Sequence, residues 1–172
     1  MDRKLIIIDN FLDDPDYIRN IALTEFQYTK YHEHVPGVRS SSRAAGEYED
    51  RVTERFEEIF NAKIKWNFNN DTFYFQSCDE TTETWIHVDK VSAWAGVLYL
   101  TPNAPVQSGT RLYQKLDDGD YETDIEIGNV YNRLIAYRGD IMYHRSMLPG
   151  FGKTLETSRL TQVFFFDIEP NG

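Results

Sequence analysis

Two of the four histidines stand where they could serve a metal ion. His87-Val88-Asp89 closes a segment that reads as a strand over 84–88. Residues two apart on a strand project to one side, so an imidazole nitrogen and a carboxylate oxygen could meet at one point. His144 follows the Gly139-Asp140 turn in a segment that reads as a strand over 141–146. Two imidazoles and a carboxylate on one face of a divalent transition metal leave its remaining positions open for other ligands. Each piece alone has a plainer reading: a His-x-Asp fits a surface strand end, and a lone strand histidine fits a core residue whose hydrogen bonds are made. The next chemical signal is Arg159-Leu160-Thr161, which opens the last strand, read over 159–167. Arg159 and Thr161 share a face among apolar neighbours, and an unpaired buried guanidinium is costly. A ligand carboxylate gripped bidentately, with a hydroxyl alongside, would meet the need. So would an ion pair to one of the 28 acidic residues.

These groups need a scaffold, and the sequence has the texture of one. Leu5 to Ile8 reads as a first strand, and Asp13-Asp14-Pro15 as a helix cap with proline in the first turn. Tyr17, Ile18, Ile21 and Ala22 continue it at helical spacing, and a second helical pattern covers about 50–60. Between them, residues 32–46 carry Pro36-Gly37 and a serine run, a loop signature. Beyond residue 63, short aromatic and β-branched runs alternate with polar turns, among them Thr101-Pro102-Asn103 and Pro149-Gly150. This predicts a mainly β, α+β chain with N-terminal helices and an antiparallel sandwich or barrel. No repeat or linker divides it. The expectation is one domain over 1–172, with a helical support over 1–62 and a β core over 63–168.

Composition narrows the partners. Aromatics make up 15% of the 172 residues, which suits a packed core and not a disordered chain. A net charge of −10 disfavours a phosphate backbone or an anionic bilayer, so nucleic acid and membrane are not expected partners. Cys78 is the one cysteine, so no internal disulfide or thiolate zinc cluster can form. The apolar run at the N-terminus is too short for a leader, and a cytoplasmic location is expected (the host cytoplasm if the chain is phage-encoded).

Taken in order, His87-x-Asp89, His144 and Arg159-x-Thr161 resemble the 2-oxoglutarate/Fe(II)-dependent dioxygenase superfamily, and more closely its small prolyl-hydroxylase-like and phage-encoded members. The lead Ile8 to Leu12, the strand Trp94 to Leu100 and Ser108-Gly109-Thr110-Arg111-Leu112 are similar too, so the likeness spans nearly the whole chain. It implies a double-stranded β-helix, a cupin-like jelly roll, with His87, Asp89 and His144 as catalytic iron ligands. It implies that 2-oxoglutarate is the cosubstrate, its distal carboxylate on Arg159 with Thr161 and Tyr99 as hydrogen-bonding helpers. Ascorbate is a candidate auxiliary reductant. Retention of Asp89 favours hydroxylation, because halogenating relatives replace that ligand with a small residue. Nucleic-acid-repairing relatives carry a second arginine where this chain has Phe164 to Phe166.

The expected activity is hydroxylation of an amino-acid or peptidyl substrate, a prolyl side chain among the candidates, so the partner is a small molecule, peptide or protein; no oligomeric state is implied. Two other readings stay open: a non-catalytic jelly-roll protein that binds metal or ligand, for instance in a phage particle, and a cupin-like metalloenzyme without 2-oxoglutarate. His32-Glu33-His34 reads as a solvated loop. Residues 34–43 read as a cover for the site mouth, with Arg39 or Arg43 near substrate, and 32–46 and 115–130 as candidate lids. The acidic run 117–126 reads as an exposed connection where a basic substrate could dock.

Overall fold

The computed structural model describes residues 3–30 and 32–170; Met1 and Asp2, where the N-terminal reading begins, lie outside them. Strand β1 (Leu5–Ile8) leads into helix α1 (Pro15–Thr24), short strands β2 (Tyr28–Thr29) and β3 (Val38–Ser40), and helix α2 (Glu47–Phe60). Then come β4 (Ala62–Trp66), β5 (Phe75–Cys78), β6 (Trp94–Tyr99) and a single 3-10 turn, Val106–Ser108. The chain ends with β7 (Thr110–Lys115), β8 (Tyr121–Ile127), β9 (Leu134–Tyr137), β10 (Tyr143–Ser146) and β11 (Arg159–Pro170). Asp14 caps α1 by accepting from the Tyr17 amide, with Pro15 behind it, as the sequence predicts. Helix α2 ends at Asn61 in the left-handed conformation, which satisfies the last carbonyls.

All strand pairs are antiparallel. The large sheet runs β1-β9-β6-β11-β5-β3-β2, with β4 also on β11, and the small one runs β10-β7-β8. Two antiparallel sheets and few helices make a jelly-roll-like architecture. Alternation along β11 divides its side chains between two environments. Leu160, Phe164 and Phe166 join Ile18 and Ala22 of α1 and Val52 and Phe56 of α2 in the main core. Phe56 is fully buried, with its ring centroid 5.0 Å from Trp66, 5.2 Å from Phe164 and 5.3 Å from Phe166. The opposite face carries Arg159, Thr161, Val163 and Phe165. There Ala95, Tyr99, Ile135 and Tyr137 pack with Leu112 and Ile127 of the small sheet. This second face holds the site.

Three expectations change. Residues 84–88 form no ladder: only His87 pairs, in an isolated bridge to His144, because the segment meets the edge of β10 at that one point. Residues 32–46 are not all loop, since Val38–Ser40 pairs with β2 and β5. The acidic run 117–126 is the tip and second strand of the β7–β8 hairpin. Among the described residues no helix is long and apolar enough to cross a membrane.

Candidate metal centre

The isolated bridge sets His87 and His144 directly opposite one another, each backbone N–H donating to the other's carbonyl at 3.2 and 2.9 Å. Directly opposed residues project to one side. The rings follow, with centroids 4.3 Å apart. Asp89 extends the arrangement by donating its amide to the Gly139 carbonyl at 2.7 Å. Its carboxylate then lies 3.7 Å from His87 Nε2 and 3.4 Å from His144 Nε2. One donor atom from each of the three lies within 4.8 Å of the others.

The surroundings prepare these atoms for a cation. His87 Nδ1 faces the Trp85 carbonyl at 3.0 Å and His144 Nδ1 the Met142 carbonyl at 2.8 Å. A ring nitrogen that donates to a carbonyl must carry the proton, which leaves each Nε2 with its lone pair toward Asp89. Burial pushes the His87 imidazole below its ordinary proton affinity, and His144 beside it adds to the effect. Asp89 Oδ2 is buried without a hydrogen-bond partner. A buried carboxylate oxygen left so is costly, and a bound cation between it and the two imidazoles would satisfy all three. The donor set therefore fits ferrous iron. Gly139 makes the room: a Cβ there would stand 2.5 Å from Asp89 Oδ2 and 3.0 Å from Ala95 Cβ.

Arg159 lies on the same face of the large sheet, 5% exposed. Its Nε donates to the Ser108 carbonyl at 2.7 Å, Nη2 faces the Gly109 carbonyl at 3.5 Å, and its guanidinium stands 5.5 Å from the Tyr99 ring centre. Among the described residues no carboxylate pairs with it. Thr161 stands directly opposite Tyr99, and its hydroxyl is buried without a partner. The Tyr99 hydroxyl is engaged with Thr110 Oγ1 at 2.7 Å, and burial pushes its proton affinity up. A buried cation beside the Thr110 hydroxyl can receive a small carboxylate.

A cavity of about 880 Å³ joins the two ends, lined by His87, Asp89, His144, Thr110, Arg159 and Arg39 among others. Tyr99 and Thr161 stand behind this wall and not on it. Of the two arginines expected near substrate, Arg39 lines the cavity. Arg43 instead pairs with Glu49 at 3.0 Å and covers the Phe68 ring. His32 and His34 are exposed yet line the mouth, whereas no residue of 115–130 reaches it, so only the first of the two candidate lids borders the cavity. Sequence reasoning missed Asp71, Gln76 and Gly139. Gln76 is brought in by the pairing of β5 with β3 and β11, and Asp71 by the turn between β4 and β5, whereas residue order shows Gly139 only as part of a turn.

Among solved structures, a prolyl-4-hydroxylase of Pseudomonas putida is similar, with a TM-score of 0.57 at 15% identity, covering 96% of this chain and 93% of that one. A prolyl hydroxylase of Trichoplax adhaerens, solved with a hypoxia inducible factor peptide fragment, also gives 0.57 at 15%, covering 95% and 84%. At such identities the likeness is one of fold. No curated protein matches the sequence. Residues 1–126 match the Family of unknown function (DUF6445), and the chain belongs to that family.

Proposed function

We propose that the protein is an iron(II)- and 2-oxoglutarate-dependent oxygenase that hydroxylates an amino-acid or peptidyl substrate. Most of its catalytic machinery would lie in residues 63–168, with 1–62 supplying two helices, strands β1 to β3 of the large sheet and Arg39. His87, Asp89 and His144 would hold the iron. Arg159 would take the distal carboxylate of 2-oxoglutarate beside Thr110, with Tyr99 polarising the Thr110 hydroxyl and Thr161 backing Arg159 from behind the cavity wall. Bound together, the metal and keto acid supply the oxidation: dioxygen gives one oxygen atom to succinate, formed with loss of carbon dioxide, and the other to a substrate C–H bond.

The chain's own part is positioning and shielding. The bridge holds the imidazoles in register, the Trp85 and Met142 carbonyls fix their tautomers, and Tyr137 packs its ring 4.8 Å from His144. The apolar face of β6, β9 and β11 keeps water from the buried wall. The carboxylate ligand Asp89 leaves no space for a halide in its place, which supports hydroxylation.

The observation that carries this reading is the pairing, in one cavity, of an orphaned Asp89 oxygen between two tautomer-fixed imidazoles with a buried guanidinium lacking a carboxylate. The fold shared with two prolyl hydroxylases supports it, and the peptide in the Trichoplax adhaerens structure supports keeping peptides among the substrates. Purified protein with Fe(II), ascorbate and 2-oxoglutarate should form succinate slowly without substrate, and faster with it. Absence of both succinate and 2-oxoglutarate binding would favour a non-catalytic ligand-binding jelly roll.

A further inference from the structure

The cavity is lined by two arginines besides Arg159: Arg145, whose Nε donates to Thr84 Oγ1 at 3.2 Å, and the more deeply buried Arg39. Arg39 is 6% exposed on β3. It stands directly opposite Gln76 of β5, which in turn stands opposite Thr161 of β11. Opposed residues share a face, so Arg39 projects from the sheet face that carries Arg159. Two strand spacings, about 10 Å, separate its backbone from that of β11. Gln76 is held by donating to the Pro36 carbonyl at 2.6 Å, which leaves Arg39 clear beside it.

Arg39 is poorly satisfied for so buried a cation. Its Nη1 meets Asp71 Oδ2 at 3.3 Å, and its Nε is buried with no partner. A guanidinium offers a two-nitrogen edge that matches a carboxylate. Asp71 also lines the cavity, its side chain 21% exposed, so a carboxylate reaches ligand space beside the guanidinium. Its placement is enforced at a cost: φ is +37° at Asp71 and +67° at Phe73, a conformation rare for a bulky side chain. Phe73 is locked there by full burial, by its amide donating to Val163 at 2.8 Å and by its carbonyl accepting from Ala44 and Gln162. Asn67 ties the same turn to Val91 and Ser92 across the mouth.

We propose that the Arg39–Asp71 pair is the substrate anchor and that the substrate is a free α-amino acid bound as its zwitterion. The α-carboxylate docks on the unpartnered edge of Arg39 and the α-ammonium on Asp71, which directs the side chain toward His87, Asp89 and His144. A positive and a negative group held 3.3 Å apart match charges on neighbouring atoms of one small molecule. A plain dicarboxylate would be repelled by Asp71, and a residue inside a peptide carries neither charge. This assignment rests on the oxygenase reading.

The test is calorimetric, on protein loaded with Mn(II) and 2-oxoglutarate. The probes are the standard amino acids, their N-acetyl and carboxamide derivatives, and a prolyl peptide. At least one free amino acid should bind, and both blocked forms should bind at least about thirtyfold more weakly. Arg39→Gln and Asp71→Asn should each cut amino-acid affinity by a similar factor while 2-oxoglutarate affinity stays unchanged, which also shows that each variant is folded. Binding of 2-oxoglutarate without any amino acid, tighter binding of the peptide, or unaltered affinity in both variants overturns this assignment and leaves the oxygenase reading standing. Failure of the wild-type protein to bind 2-oxoglutarate overturns the oxygenase reading and this assignment with it.

Discussion

His87 and His144 are joined by their backbones: among the described residues, the one ladder contact of the 84–88 segment is the pair of hydrogen bonds between these two residues. The candidate ligands are thus set in place by main-chain geometry, so a metal bound between them would add stability to a site that is already formed.

Metal should therefore stabilise the wild-type fold. At a free concentration a hundred times the dissociation constant, Mn(II) should add about 2.7 kcal/mol. His87→Ala should abolish that gain in a thermal melt. Because the His87 side chain is 36% exposed, the same change should alter the metal-free stability by less than about 1 kcal/mol.

Gly139→Ala offers a sharper probe because it touches no ligand chemically. The new methyl would stand 2.5 Å from Asp89 Oδ2, and the carboxylate at the end of its side chain yields more easily than the sheet. The variant should fold, and it should bind Mn(II) at least about tenfold more weakly. Equal metal affinity in calorimetry would show that the Asp89 carboxylate is not a ligand.

Arg159→Ala should separate cosubstrate from metal. Removing the guanidinium should cost 2-oxoglutarate about 2–5 kcal/mol, while Mn(II) affinity stays at the wild-type level. If keto-acid affinity is unchanged in the variant, the carboxylate binds elsewhere.

The main core makes a stability prediction independent of function. Phe56 is fully buried against Trp66, Phe164 and Phe166. Phe56→Ala should destabilise the fold by about 3–5 kcal/mol in urea titration.

The sequence announced this architecture unevenly. Period-2 alternation puts Arg159 and Thr161 on one face, because that is local geometry, whereas His87 and Asp89 come together through the bridge to His144 and the Asp89–Gly139 hydrogen bond and not through a strand. The helices were legible from Asp14-Pro15 and from the apolar spacing of Val52 and Phe56. The 84–88 segment has strand composition but lacks neighbours to pair with, and composition does not count neighbours. The Arg39–Asp71 pair depends on β3 reaching β5 and on a left-handed turn at Asp71, neither of which leaves a trace in residue order.

If one cavity holds a metal at His87, Asp89 and His144 together with a keto acid reaching Arg159, the two ligands must bind interdependently. Titrating 2-oxoglutarate into the protein without oxygen, with and without Mn(II), tests both halves together. One equivalent should bind in the presence of metal, with affinity at least about tenfold weaker without it. Binding that ignores the metal, or no binding in either case, would contradict that interdependence.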